Sequence, residues 1–190
     1  MTRRLRISLG TMAVALTALL AALPARAEVS LLTPPELLAA ITSGDLDKMK
    51  SVLLRTHRPD VIDAYGNTAL IVAVKSGNPD AVKLLLENGA HPHLSDPQGN
   101  TPLMWAADSG DAGIVRQLLK KNAKPNQDNR QGLTALMIAA RNGHAEAVDA
   151  LIKGGSEVNK VDYTGRDALT WARDARTPQV GELLRRAGAR

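Results

Sequence analysis

The chain has 190 residues, with 24 Lys and Arg against 19 Asp and Glu, and neither cysteine nor phenylalanine. The missing cysteine excludes disulfides, thiolate metal centres, a cysteine nucleophile and a lipid anchor on an N-terminal cysteine. The net charge of +5 is no sign of nucleic-acid binding: residues 1–27 hold four arginines and no acid, which leaves 20 basic against 19 acidic residues in the remainder, and phosphate backbones call for concentrated positive charge.

Residues 1–27 read as a secretory signal peptide. Thr2 to Arg6 is a basic start, Ile7 to Leu23 is apolar, and Pro24 breaks the run. Ala25 and Ala27 are the small residues a signal peptidase reads, so cleavage is expected after Ala27. The apolar run is near the short limit for a membrane span, so an uncleaved anchor is the alternative reading. The compact cleavage site has a bacterial look and places the mature protein in the periplasm, with no membrane contact after cleavage. Arg3-Arg4 suggests the twin-arginine route, but Arg6 stands where that pattern has an apolar residue, which favours the general secretory route.

Glu28 to Thr33 is a short lead-in, and Pro34-Pro35 can start a helix. Two short helical patterns follow, Glu36 to Ile41 and Leu46 to Leu54, joined at Ser43-Gly44-Asp45. Few aromatics are present, only Trp105, Trp171, Tyr65 and Tyr163, so the core must be Leu, Ala, Val, Ile and Met, which favours helical packing. From residue 66 a phrase repeats: Gly66-Asn67-Thr68-Ala69-Leu70, Gly99-Asn100-Thr101-Pro102-Leu103, Gly132-Leu133-Thr134-Ala135-Leu136 and, more loosely, Gly165-Arg166-Asp167-Ala168-Leu169. The copies start 33 residues apart, as do Gly44, Gly77, Gly110 and Gly143. A fixed period of this size is the mark of a stacked array. Each first helix is expected to end at one of these glycines. Second helices are expected over Asp80–Glu87, Ala112–Lys120 and Ala145–Lys153, with apolar residues on one wide face. Asp96-Pro97-Gln98-Gly99, Asp128 to Gly132 and Asp162-Tyr163-Thr164-Gly165 read as tight turns.

The phrase Thr-Pro-Leu-x-x-Ala-Ala, then Gly, then an Ala-Val-x-x-Leu-Leu helix, then Asn-Gly-Ala resembles the ankyrin repeat over nearly all of residues 34–190. The resemblance implies an all-α solenoid of antiparallel helix pairs joined by outward-pointing hairpin loops, slightly curved. It divides the domain, residues 28–190, into a capping unit (34–65), three full units (66–98, 99–131 and 132–164) and a truncated capping unit (165–190). The chain departs from the family where its histidine after Thr-Pro-Leu gives way to Ile71, Met104, Met137 and Thr170, so the loop-to-helix hydrogen bonds of that histidine are expected to be missing. The end units depart too. Lys48 and Ser51 replace apolar residues in the first. Arg176, Gly181 and Arg185 replace the periodic glycine, Val82 and Leu86 in the last. Polar residues at the ends of an array suit faces that meet water.

Chemistry is sparse. His91-Pro92-His93 is the one close histidine pair, with no cluster to complete a metal site, and His144 reads as helix capping. No nucleophile elbow or phosphate loop occurs, and Ser109-Gly110-Asp111 repeats Ser43-Gly44-Asp45, so it is repeat grammar. No cofactor, no metal and no enzymatic activity are expected. Trp105 and Trp171 share one repeat position, filled by Val72 and Ile138 in the alternate units. They either pack between first helices or form an aromatic patch for a partner.

By family analogy a partner protein binds at hairpin tips and the inner helix face. The tip positions are Ala64, Tyr65, Pro97, Gln98, Arg130, Gln131, Tyr163 and Thr164, and the inner-helix positions are Lys75, Ser76, Asp108, Ser109, Arg141 and Asn142. Core positions are copied from unit to unit and these are not. Partner binding is therefore assigned to Tyr65, Lys75, Gln98, Trp105, Asp108, Ser109, Arg130, Gln131, Arg141, Asn142 and Tyr163. The expected function is a monomeric, periplasmic, non-catalytic module that binds a protein and stabilises or inhibits it. By resemblance, protection of a periplasmic catalase in oxidative stress and immunity against a secreted toxin are specific versions. A ligand carrier and an enzyme built on the His91/His93 loop are the competing classes.

Overall fold

The computed structural model describes residues 36–190; the expected signal peptide, its expected cleavage site and the lead-in lie outside the described residues. Ten helices form five pairs: α1 (Glu36–Ser43) with α2 (Leu46–Thr56), α3 (Ala69–Lys75) with α4 (Pro79–Glu87), α5 (Pro102–Ser109) with α6 (Ala112–Lys120), α7 (Ala135–Asn142) with α8 (Ala145–Lys153), and α9 (Ala168–Asp174) with α10 (Pro178–Arg186). The expected all-α solenoid of stacked helix pairs is what the chain forms. Among the described residues the only β pairing is three isolated bridges at hairpin necks, Ile62 with Thr68, Asp128 with Thr134 and Val161 with Asp167.

Local chemistry starts and stops each helix. Thr68, Thr101 and Thr134 cap α3, α5 and α7 by accepting from the backbone N–H of Ile71, Met104 and Met137, and Asp167 does the same for Thr170 in α9. Asp45, Asn78 and Asp111 cap α2, α4 and α6. His144 starts α8 without such a bond: its ring bonds the Asp108 carbonyl of the preceding unit instead, Nε2 to O 3.0 Å. Gly110 and Gly143 end α5 and α7 in the left-handed conformation, at φ 75° and 78°.

One core runs the length of the stack. Leu70, Leu103 and Leu136 are buried at the same place in successive units, and Ala73, Ala106, Ala139 and Ala172 are buried behind them. These alanines let neighbouring first helices approach more closely than the second helices do. A stack tighter on one side bends toward it, so the first helices line the concave face.

The hairpins are built on one carboxylate or amide each. Asp63, Asp96, Asn129 and Asp162 accept, through Oδ1, from the backbone N–H two and four residues ahead. This closes the tight turns read from the sequence. Successive hairpins are then tied by backbone bonds, Arg130 N–H to the Gln98 carbonyl at 3.1 Å and Tyr163 N–H to the Gln131 carbonyl at 3.5 Å. Proline holds the equivalent donor position, residue 97, so this tie is missing between the first two hairpins. Backbone approaches backbone most closely at Gly132, where φ is 78° and an added Cβ would lie 2.7 Å from the Tyr163 backbone nitrogen and from its ring. Gly132→Ala should cost at least about 1 kcal/mol from the backbone conformation alone, with the displaced hairpin adding to it. Thermal melting checks this, with Gly165→Ala as the reference, since the same conformation there has open space around it.

Candidate functional site

Four side chains at positions that vary among the units meet at one place on the concave face. Trp105 and Asp108 on α5, Gln131 on the third hairpin and Arg141 on α7 line a cavity of about 230 Å³. Its floor is Met104, Leu133 and Ile138, and Asn100 and Asn129 close its hairpin side. Lys75 reaches across from α3, with Nζ 4.2 Å from the centre of the Trp105 ring, a cation–π contact. Arg141 lies 3.8 Å from the Asp108 carboxylate. Asn142 donates to the Asp108 carbonyl at 3.1 Å and to its carboxylate at 2.9 Å. Six of the residues assigned from sequence therefore form one connected group: Lys75, Trp105, Asp108, Gln131, Arg141 and Asn142.

The tryptophans have a structural task as well. Trp105 donates its indole N–H to Asp96 Oδ2 at 3.0 Å, and Trp171 to Asp162 Oδ2 at 3.0 Å. Each ties its hairpin to its own first helix. The loop-to-helix bonds expected to be lost with the family histidine are thus supplied, in alternate units, from the next residue along the helix. Both indoles remain half-buried, so each is positioned by its hydrogen bond and keeps part of its surface open. Arg166 covers Trp171 at 3.6 Å from the ring centre, and Arg141 approaches it at 5.6 Å.

The other assigned residues are dispersed. Ser109 turns its hydroxyl to the Ala106 carbonyl of its own helix, 3.2 Å away. Gln98 and Arg130 are exposed at adjacent hairpin tips and are joined through their backbones. Tyr163 is engaged: its hydroxyl donates to Asp128 Oδ2 at 3.1 Å, while Lys160 donates to Oδ1 at 2.9 Å. The Lys160 contact, joined by the Tyr163 bond, outweighs burial and holds the Asp128 carboxyl below its ordinary range, and the same hydrogen bond raises the Tyr163 phenol. Tyr65 stands apart at the first hairpin, 82% exposed.

Charge alternates along the concave face. Lys75, Asp108, Arg141 and Asp174 occupy one position in successive units, above Val72, Trp105, Ile138 and Trp171. The period of the display is thus two units, twice that of the scaffold. This suits a partner surface carrying both signs in register. Sequence reasoning missed Asn100 and Asn129. Asn129 Nδ2 donates to Asn100 Oδ1 at 2.8 Å and so links two hairpins beside the cavity. The available signal was an amide at 129 where Asp63, Asp96 and Asp162 carry a carboxylate, which could not donate. His91 faces Asp60 with both its backbone N–H and ring Nδ1. Among the described residues no group of three or more His, Asp or Glu is arranged to hold a metal ion.

A comparison with family models matches residues 37–129 and 113–190 to Ankyrin repeats (3 copies). A search of curated proteins found no match. Four capped hairpin turns, ten short helices in register and this match over most of the described residues place the chain in the ankyrin-repeat family, whose arrays serve protein–protein interaction.

Proposed function

We propose that the chain is a non-catalytic periplasmic module that holds a protein partner against the Trp105–Arg141 cavity and the neighbouring hairpin tips, and by holding it stabilises or inhibits it. The observation that carries this reading is the convergence of Lys75, Trp105, Asp108, Gln131 and Arg141, none of them identical in every unit, on one recess. A half-buried indole flanked by charges that already pair with each other has the composition of an interface centre. The periplasmic part rests on the signal-peptide pattern of residues 1–27.

Two measurements test it. N-terminal sequencing of the exported protein should read Glu28 first, and a protein retained in the cytoplasm would remove the periplasmic part. Immobilised mature protein should capture a stoichiometric partner from a periplasmic extract. The double variant Asp108→Ala with Arg141→Ala should weaken that capture at least about tenfold, with its melting temperature nearly unchanged because the pair is surface-exposed. Undiminished capture would show that the partner sits elsewhere.

A further inference from the structure

The last unit breaks the repeat pattern at four places that all border one groove. Arg173 stands where Val74, Ala107 and Ala140 are buried in earlier units. Arg176 replaces Gly44, Gly77, Gly110 and Gly143. Gly181 replaces Val82, Val115 and Val148. Arg185 replaces Leu86, Leu119 and Ile152. These residues, with Leu169 and Ala172 beneath, line a groove of about 430 Å³ on α9 and α10. It shares no residue with the Trp105 cavity.

An end unit meets water, which accounts for Arg173 and Arg185. It does not account for the other two. Gly181 lies inside α10, where glycine weakens a helix relative to alanine. Nothing in the packing requires it: an added Cβ would come no closer than 3.7 Å to Arg185 and 3.8 Å to Leu169, ordinary contact distances. Its effect is to leave room above Leu169, which is part-exposed, while Ala172 and Gly181 themselves are buried. Arg176 has φ 57°, a left-handed conformation that costs a side-chain-bearing residue and that glycine adopts freely. Glycine would expose the same backbone to the same water. The strain places a guanidinium at the rim of the groove, and strain of this kind is retained where a side chain has work to do.

The charges around the groove are unbalanced. Among the described residues Arg173, Arg176 and Arg185 form no ion pair, and all three are exposed. The acids of the unit are occupied: Asp167 caps α9, Asp174 lies 3.9 Å from Arg166, and Glu182 lies 3.5 Å from Arg186. In the preceding unit the equivalent side is covered by the next helix pair, as α9 and α10 cover α7 and α8. It is a recess and not a protruding apolar edge.

We propose that this groove is a second docking surface, which takes an acidic amphipathic helix of another protein, with an apolar side chain over Gly181 and carboxylates on Arg173, Arg176 and Arg185. The test is calorimetric titration of the mature chain with a panel of synthetic amphipathic helices of Leu, Ala and Glu, beside a matched panel carrying Lys for Glu. Gly181→Val and Arg176→Gly each install the residue that other units carry, so both should fold, and melting curves confirm it. Expected are binding of the Glu helices, weakened by added salt, a loss of at least about tenfold in Gly181→Val, and a loss of about threefold to tenfold in Arg176→Gly. The Asp108→Ala, Arg141→Ala variant should bind these helices as the unaltered chain does, which separates this surface from the concave one. The proposal is overturned if no Glu helix binds, if the Lys helices bind equally, or if Gly181→Val binds like the unaltered chain. It is also overturned if phosphatidylglycerol vesicles, and not the helices, are held in a Gly181-dependent way.

Discussion

Leu103→Ala and Leu136→Ala should each lower the unfolding free energy by about 2–5 kcal/mol. Both side chains are 1% exposed and sit in internal units. A unit in a solenoid is stabilised by its two interfaces, so a cavity opened in a middle unit loosens both. The equivalent leucine of the last unit, Leu169, is only half-buried, and Leu169→Ala should cost distinctly less. Leu54→Ala is the control, since Leu54 is 71% exposed on α2 and its truncation should be nearly neutral. Urea unfolding of the four variants gives the comparison. Equal stability of Leu103→Ala and Leu54→Ala would show that the stack is not held by its shared core.

Asp162→Ala should cost about 2–4 kcal/mol, because it strands several donors at once. The buried carboxylate accepts from the Thr164 N–H and hydroxyl, the Arg166 N–H and the Trp171 indole, at 2.8, 2.6, 3.0 and 3.0 Å. Asp162→Asn should cost less. An amide oxygen can serve the backbone donors, as Asn129 does in its own turn, but its NH₂ would face the Trp171 N–H. The hairpin of Asn129 leads into α7, which has Ile138 at the tryptophan position, so Asn129 escapes that conflict.

The same contacts fix the direction of the pH response. Burial raises the Asp162 carboxyl, but the hydrogen bonds from Thr164, Arg166 and Trp171 outweigh it and hold the group below its ordinary value. Asp63 is lowered likewise: burial is outweighed by bonds from Asn67 and Tyr65. A carboxyl lowered in the folded state contributes stability that is present above its unfolded value, about 3.9, and is lost as the pH falls through its folded value. The melting temperature should therefore decline below about pH 4, and the decline should be shallower in Asp162→Ala. An identical acid profile in the two proteins would remove Asp162 from the account.

Capping residues, turn formers and left-handed glycines act over two to five residues, so their consequences were legible as soon as the 33-residue period was seen. The second helices Ala112–Lys120 and Ala145–Lys153 are found where the apolar spacing put them, and α2 and α4 differ only at their ends, where α4 starts on Pro79 and α2 runs to Thr56. The contrast between copied and uncopied positions also comes from one sequence, because a solenoid must reuse its core contacts and need not reuse its display.

Side-chain choices between units were not legible. Nothing in the alternation of tryptophan with valine or isoleucine says that each indole would reach back to the aspartate of its own hairpin, or that Lys75 would lie over the next unit's ring. Two exposed tyrosines at hairpin tips looked alike, yet Tyr163 is held by Asp128 and Tyr65 is left open. The array, its period, its turns and the positions that vary among the units follow from residue patterns along the chain. Which of those positions converge on one recess, and that Arg173, Arg176, Gly181 and Arg185 border a single groove, emerges from the packing of the helices. The scaffold is closed by local bonds, whereas the concave site is made by long side chains crossing from one unit to the next and the groove by residues of two different helices; in both, spacing fixes proximity but not direction.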